Sequence, residues 1–154
     1  GKYPIECVKF IKRIAYQTEK YRTLGYEDKL IASTDWQHLG IAAKTIAQSI
    51  EADGIIAITR SGSTAEIVSN AKPFKIPVFA FSNNRKTLKH LSLSGSINAY
   101  YSSMHNEHEK NISKILTFLK KELNPKRTLK FVVISGILSE SSADAIEIRN
   151  LEVI

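Results

Sequence analysis

Apolar residues alternate in period along the chain, and that alternation predicts the elements. After Pro4, Ile5, Val8, Ile11 and Ala15 recur at spacings of three and four, which predicts an amphipathic helix over about 4–22 with Lys9, Lys12, Arg13, Glu19 and Lys20 on its polar face. Residues 23–33 lose the period around Gly25 and read as a connector. Ser33, Thr34 and Asp35 are all good N-cap types, and the stripe Leu39, Ala42, Ala43, Ile46, Ile50 predicts a second helix, broken by Gly54. Ile55–Ile58 is then a short continuous apolar run, as expected of a strand covered on both faces.

The same unit repeats. A helix with Ala65, Ile67 and Val68 inward ends near Asn70, and Val78–Phe81 is the next buried strand. Ser82-Asn83-Asn84 opens a helix carrying Leu88, Leu91 and Leu93, stopped by Gly95. Ile97–Tyr101 is a third strand, and a helix over about 107–122 carries Ile112, Ile115, Leu116 and Leu119. Phe131–Ile134 is the fourth strand, 137–144 a polar loop, and 145–153 alternates as a half-wet edge strand should. Helices alternating with buried strands predict an α/β fold, a three-layer α/β/α sandwich with a mostly parallel five-stranded sheet. No helix separates the last two strands, and a parallel crossover needs a dozen or more residues, so the last strand should be antiparallel.

Composition narrows the class. At 154 residues the chain suits one domain with a core of its own. A single cysteine, Cys7, excludes an internal disulfide framework and a four-cysteine zinc site, and fits a reducing, cytoplasmic setting. No apolar run is long enough for a membrane helix, and Gly1-Lys2-Tyr3-Pro4 has no signal-peptide core and no initiating Met, so a processed or excised piece is expected. The net charge of +7 is spread along the chain and no segment is a polybasic tail. That excess favours anionic small molecules in a general way, and the reading is for neither a nucleic-acid nor a membrane partner.

The chemistry gathers at Thr59, Arg60, Ser61, Gly62, Ser63 and Thr64, where a buried strand ends and a hydroxyl-rich turn opens a helix. Such a turn can offer backbone N–H groups, hydroxyl protons and the positive end of a helix dipole to a phosphate. A glycine lets an anion approach the backbone closely, and ligands of open α/β sheets bind beyond the carboxyl ends of the strands. An ordinary capped helix start explains the same residues, and the Gly-Lys-Ser/Thr ending of a nucleotide-binding P-loop is missing.

Weaker candidates are His105 and His108, which suit a polar surface better than a metal site. Glu51 and Asp53 read as a solvated turn, Trp36 as a packing or interface anchor, and Cys7 as inert. Ser135-Gly136 lacks the Gly-x-Ser-x-Gly nucleophile elbow. No catalytic residue and no metal ligand is assigned.

The ordered set Ala52–Ser69, Lys72-Pro73, Ile76–Phe81 and Leu91-x-Leu93-x-x-x-Ile97 resembles the C-terminal domain of pyruvate kinase, and Gly1–Glu6 is similar to the segment that follows that family's last barrel strand. The resemblance implies a regulatory and oligomerising domain of a glycolytic phosphotransferase that moves phosphate from phosphoenolpyruvate to ADP. Residues 1–22 would follow the catalytic barrel and 23–154 would form the regulatory domain. The barrel, with its magnesium and potassium, would precede Gly1, so this chain alone is expected to be non-catalytic and to need no cofactor. Its expected partners are its own catalytic domain, further copies of itself, and a phosphorylated effector on the turn matching Thr59, Ser61, Gly62, Ser63 and Thr64.

Two departures qualify the effector. The loop Ile137–Asp144 carries Glu140 and Asp144 and no arginine, tryptophan or glycine, so a second phosphate would meet repulsion, and a monophosphate or no effector is expected. Lys72 and Lys89 stand where the family commonly has arginine, keeping charge without the bidentate fork. The alternative reading is a stand-alone phosphometabolite-binding protein or small enzyme on the same scaffold, and a further rival is a basic nucleic-acid binder, whose affinity would fall steeply with salt.

Overall fold

The computed structural model describes residues 1–18, 31–73, 75–135 and 145–153. The chain forms two compact units, Gly1–Ile31 and Ala32–Ile154. The first contributes helix α1, Pro4–Thr18, in which no residue is buried. Residues 19–22 of the expected helix, most of the connector and the polar loop 137–144 lie outside the described residues.

The second unit runs α2 (Asp35–Ser49), β1 (Gly54–Ile58), α3 (Ser63–Asn70), β2 (Val78–Ser82), α4 (Arg85–Leu91), β3 (Ile97–Tyr101), α5 (His108–Leu123), β4 (Leu129–Ser135) and β5 (Ala145–Leu151). The sheet order is β3-β2-β1-β4-β5. β1 pairs in parallel with both β2 and β4, and β2 with β3. β5 pairs antiparallel with β4, as the short connection requires, with Val132 opposite Ile148 and Ile134 opposite Ile146.

Strand alternation sends side chains to two cores. Ile55, Ala57, Val78, Ala80, Val132 and Ile134 face Ala43, Ala47, Ala65, Val68 and Leu91 of α2, α3 and α4. Ile56, Phe79, Phe81, Phe131 and Val133 face Ile112, Ile115 and Leu119 of α5. Three layers follow, with β1 at the centre buried on both faces.

Several local expectations change. Gly54 does not end α2; that helix stops at Ser49, and Gly54 is the first residue of β1, opposite Phe131. A methyl group there would sit 2.6 Å from Phe79 Cε2 and 3.0 Å from Phe131 Cε1, so glycine makes room for two rings packed edge to face. α4 ends at Leu91, well before Gly95, and Leu93 is 87% exposed rather than inward, because the chain has already left the helix. α2 begins after Thr34, but the threonine hydroxyl makes no cap; Ser33 instead donates its N–H and hydroxyl to Gln37 Oε1 at 2.8 and 3.0 Å.

Candidate functional site

The carboxyl end of β1 delivers the chain into the turn. Thr59 N–H donates to Phe81 O at 3.0 Å, which continues the β1–β2 ladder for one more residue. Thr59 is buried, and its hydroxyl accepts the Gly62 N–H at 2.9 Å, closing the turn on itself. Gly62 has φ 103°, a left-handed conformation that glycine adopts without the strain a side chain would add. It is the N-cap of α3, so no side chain caps this helix. Ser61 and Ser63 place their hydroxyls 3.0 Å apart, and Ser61 Oγ accepts a long 3.4 Å bond from Ser63 N–H. Glu66 N–H donates to Gly62 O, the first bond of the helix.

The six expected residues therefore come together, in unequal roles. Thr59 and Thr64 are buried, at 5% and 4% exposure, and Thr59 spends its hydroxyl inside the turn. Arg60 and Ser61 are exposed and Ser63 half-exposed. What the turn presents outward is a serine hydroxyl pair in front of an uncapped helix start. With one bond shared between two hydroxyls, one of the two protons is left to donate to a ligand.

Two further residues shape this turn, and the sequence does not place them at it. Ser82, at the end of β2, and Thr87, in α4, both donate to the Arg60 carbonyl, at 3.3 and 2.9 Å. They lie 22 and 27 residues downstream, so only the fold brings them there. A hydroxyl ending an otherwise apolar strand, as in Phe81-Ser82, is the one local hint.

The remaining candidates are structural. His108 Nε2 lies 2.5 Å from Glu147 Oε1, and Arg149 bridges Glu147 and Glu109. Burial pushes the Glu147 carboxyl up, but the hydrogen bonds from His108 and Arg149 and their charge outweigh it and hold it below its usual range. Asn111 binds both the N–H and the carbonyl of His105, fixing the entry to α5. Among the described residues no three His, Cys, Asp or Glu side chains converge as a metal site would need. Asp53 is not a solvated turn residue: its carboxylate accepts from both terminal nitrogens of the Arg127 guanidinium and from the Lys130 N–H. Trp36 is 38% exposed and Cys7 is exposed. Among the described residues no helix is long and apolar enough to cross a membrane.

The family profile described as "Pyruvate kinase, alpha/beta domain" matches residues 37–149, which takes in β1 to β4, most of β5 and the turn. The chain belongs to the pyruvate kinase alpha/beta domain family. Pyruvate kinase of Borreliella burgdorferi is 29% identical over 163 residues, covering 99% of this chain and 33% of that protein. Pyruvate kinase of Agrobacterium vitis is 26% identical over 140 residues, covering 88% and 29%. A crystal structure of a pyruvate kinase from Cryptosporidium parvum superimposes with a TM-score of 0.80 at 18% identity, covering 96% of this chain and 30% of that one. At that identity the superposition speaks for the fold. The chain thus spans about a third or less of the pyruvate kinases it matches, and corresponds to their C-terminal domain.

Proposed function

We propose that this chain is the regulatory and assembly domain of a pyruvate kinase, and that the Thr59–Thr64 turn takes the phosphate of a small phosphorylated effector. The parent reaction would be phosphoryl transfer from phosphoenolpyruvate to ADP, carried out in a preceding catalytic domain that holds the magnesium and potassium. The observation that carries the effector reading is the uncapped start of α3 behind the Ser61–Ser63 hydroxyl pair, at the carboxyl edge of a parallel sheet. Arg60 adds a cation in the same turn. Regulation would follow from differential binding: an effector that prefers one arrangement of domain and subunit contacts shifts the population toward it. Assembly is supported by β5, an edge strand with Ile148 53% exposed.

Titration calorimetry with sugar monophosphates and bisphosphates tests the effector reading. Binding is expected in the wild type, with a loss of about tenfold or more in Ser61→Ala, where a charge-assisted hydrogen bond worth roughly 1.5–3 kcal/mol is removed. Equal heats in wild type and variant would remove the turn as the site. Because the sequence just before β5 carries the carboxylates of Glu140 and Asp144, monophosphates are expected to match or exceed bisphosphates.

A further inference from the structure

Helix α4 touches the turn at two chemically different points, and one side chain makes both. Thr87 is buried, at 7% exposure. Its hydroxyl donates to the Arg60 carbonyl at 2.9 Å. Its methyl lies under Gly62, where an added Cβ would come within 3.3 Å of Thr87 Cγ2 and 3.4 Å of Leu91 Cδ2. Ser82, fully buried, completes the arrangement: its hydroxyl donates to the same carbonyl at 3.3 Å and accepts the Asn84 N–H at 3.2 Å, just before α4 begins.

The Arg60 carbonyl and the Ser61 N–H belong to one planar peptide unit, and in a trans peptide they point in opposite directions. The chain has no cis peptide bond among its described residues. Two donors holding the carbonyl toward β2 and α4 therefore aim the Ser61 N–H away from them. Rotating this plane requires breaking both bonds in a part-buried setting, and the Thr87 methyl borders the space that a side chain at Gly62 would enter. α4 is also joined to α3, where His90 Nε2 lies 2.7 Å from Glu66 Oε1. The helix that follows the turn and the helix that buttresses it are thus linked.

We infer that Thr87 is the positioning residue of this turn: it fixes the Arg60–Ser61 peptide plane from α4, so that the position of α4 and the donor geometry of the turn are coupled. A displacement of α4 would swing the Ser61 N–H, and an anion held by that N–H would in turn hold α4. The ligand half of this statement rests on the proposed phosphate role; the backbone half does not.

The experiment uses the 154-residue chain and two substitutions that separate the contacts. Thr87→Val keeps the methyl and drops the hydroxyl, and Thr87→Ser does the reverse. Amide hydrogen exchange read by NMR should be roughly tenfold faster at Gly62, whose N–H is bonded to Thr59 Oγ1, and the Ser61 amide chemical shift should move in Thr87→Val, while the amides of β1 and β4 stay at wild-type protection. Thr87→Ser should stay near wild type at Ser61. Unchanged exchange and chemical shifts at Ser61 and Gly62 in Thr87→Val would overturn the inference. If Thr87→Val does not fold, Ser82→Ala removes the second donor to the same carbonyl and must perturb the same two amides, or the inference falls.

Titration with inorganic phosphate, followed on the same amides, gives the second readout. Binding to the wild type that weakens about tenfold in Thr87→Val and is restored in Thr87→Ser supports the coupling. Equal binding in wild type and Thr87→Val overturns it. If the wild type shows no response to phosphate, the effector reading fails, and the exchange arm still decides whether Thr87 sets the plane.

Discussion

Asp53 sits where the connection from α2 enters the sheet and binds the start of β4 from both sides. Its N–H donates to Lys130 O and its carboxylate accepts the Lys130 N–H, each at 2.8 Å. Burial alone would raise this carboxyl, but the Arg127 hydrogen bonds, the Lys130 N–H and the charges of both residues lower it below its ordinary value. The sign follows. A carboxyl whose folded value is depressed contributes stability that is fully present above its unfolded value, near pH 4, and is lost as pH falls through the folded value. Urea unfolding at pH 7 should therefore show a loss of about 1 kcal/mol in Asp53→Ala from the Lys130 amide bond, and the gap to wild type should close as the pH is taken well below 4. A gap that stays constant into strong acid would show that ionised Asp53 contributes nothing. The exposed Arg127 side of the cluster adds little, because solvent screens it.

Elements meet through residues whose roles are invisible locally. Gly40 lies in the middle of α2, where glycine disfavours helix, yet a Cβ there would sit 2.2 Å from Ile67 Cγ2 and 3.4 Å from the Ile67 backbone. The missing side chain is what lets α2 and α3 approach. Gly40→Ala should gain helix propensity and still destabilise by about 1–3 kcal/mol through overpacking. In an Ile67→Ala background most of that cost should vanish, so a double-mutant cycle measured by denaturant unfolding gives a coupling of the same size. Additive effects would mean that the two helices do not meet there.

This contact also shows what the sequence could and could not reveal. Ile55–Ile58, Val78–Phe81 and Phe131–Ile134 are legible as strands because burial on both faces demands unbroken apolar runs. The reversal of β5 is legible because no helix could fit before it. Gly40 and Gly54 were not, because each answers to a partner far along the chain: Ile67 for one, Phe79 and Phe131 for the other. Leu93 misleads because nothing local reveals that the helix has already ended at Leu91. At the turn, residue types and position were readable from Thr59 to Thr64. The roles of Ser82 and Thr87 were not, since they arise only when β2 and α4 fold alongside.

At the scale of the whole molecule, the turn is the point where a ligand would act on all of it. Thr59 extends the central strand, Arg60 is held from β2 and α4, and Gly62 starts α3. A ligand that binds only the folded state raises unfolding free energy by about 2.7 kcal/mol at 100 times its Kd. A sugar phosphate that binds the turn should therefore raise Tm by several degrees in thermal unfolding of this chain, and Ser61→Ala should erase most of the shift at the same concentration. An undiminished shift in Ser61→Ala would place the ligand elsewhere.

The place of β1 between β2 and β4 also bears on biosynthesis. As the nascent chain leaves the ribosome, β1, β2 and β3 can zip together early, but the other flank of β1 stays bare until Leu129–Ser135 emerges. A growing polypeptide of this design carries an apolar central strand with one bare flank while the residues from β1 to β4 are made, a state prone to wrong pairing. Slowing elongation just before the codon for Leu129 should lengthen that vulnerable interval and increase the demand for chaperone protection.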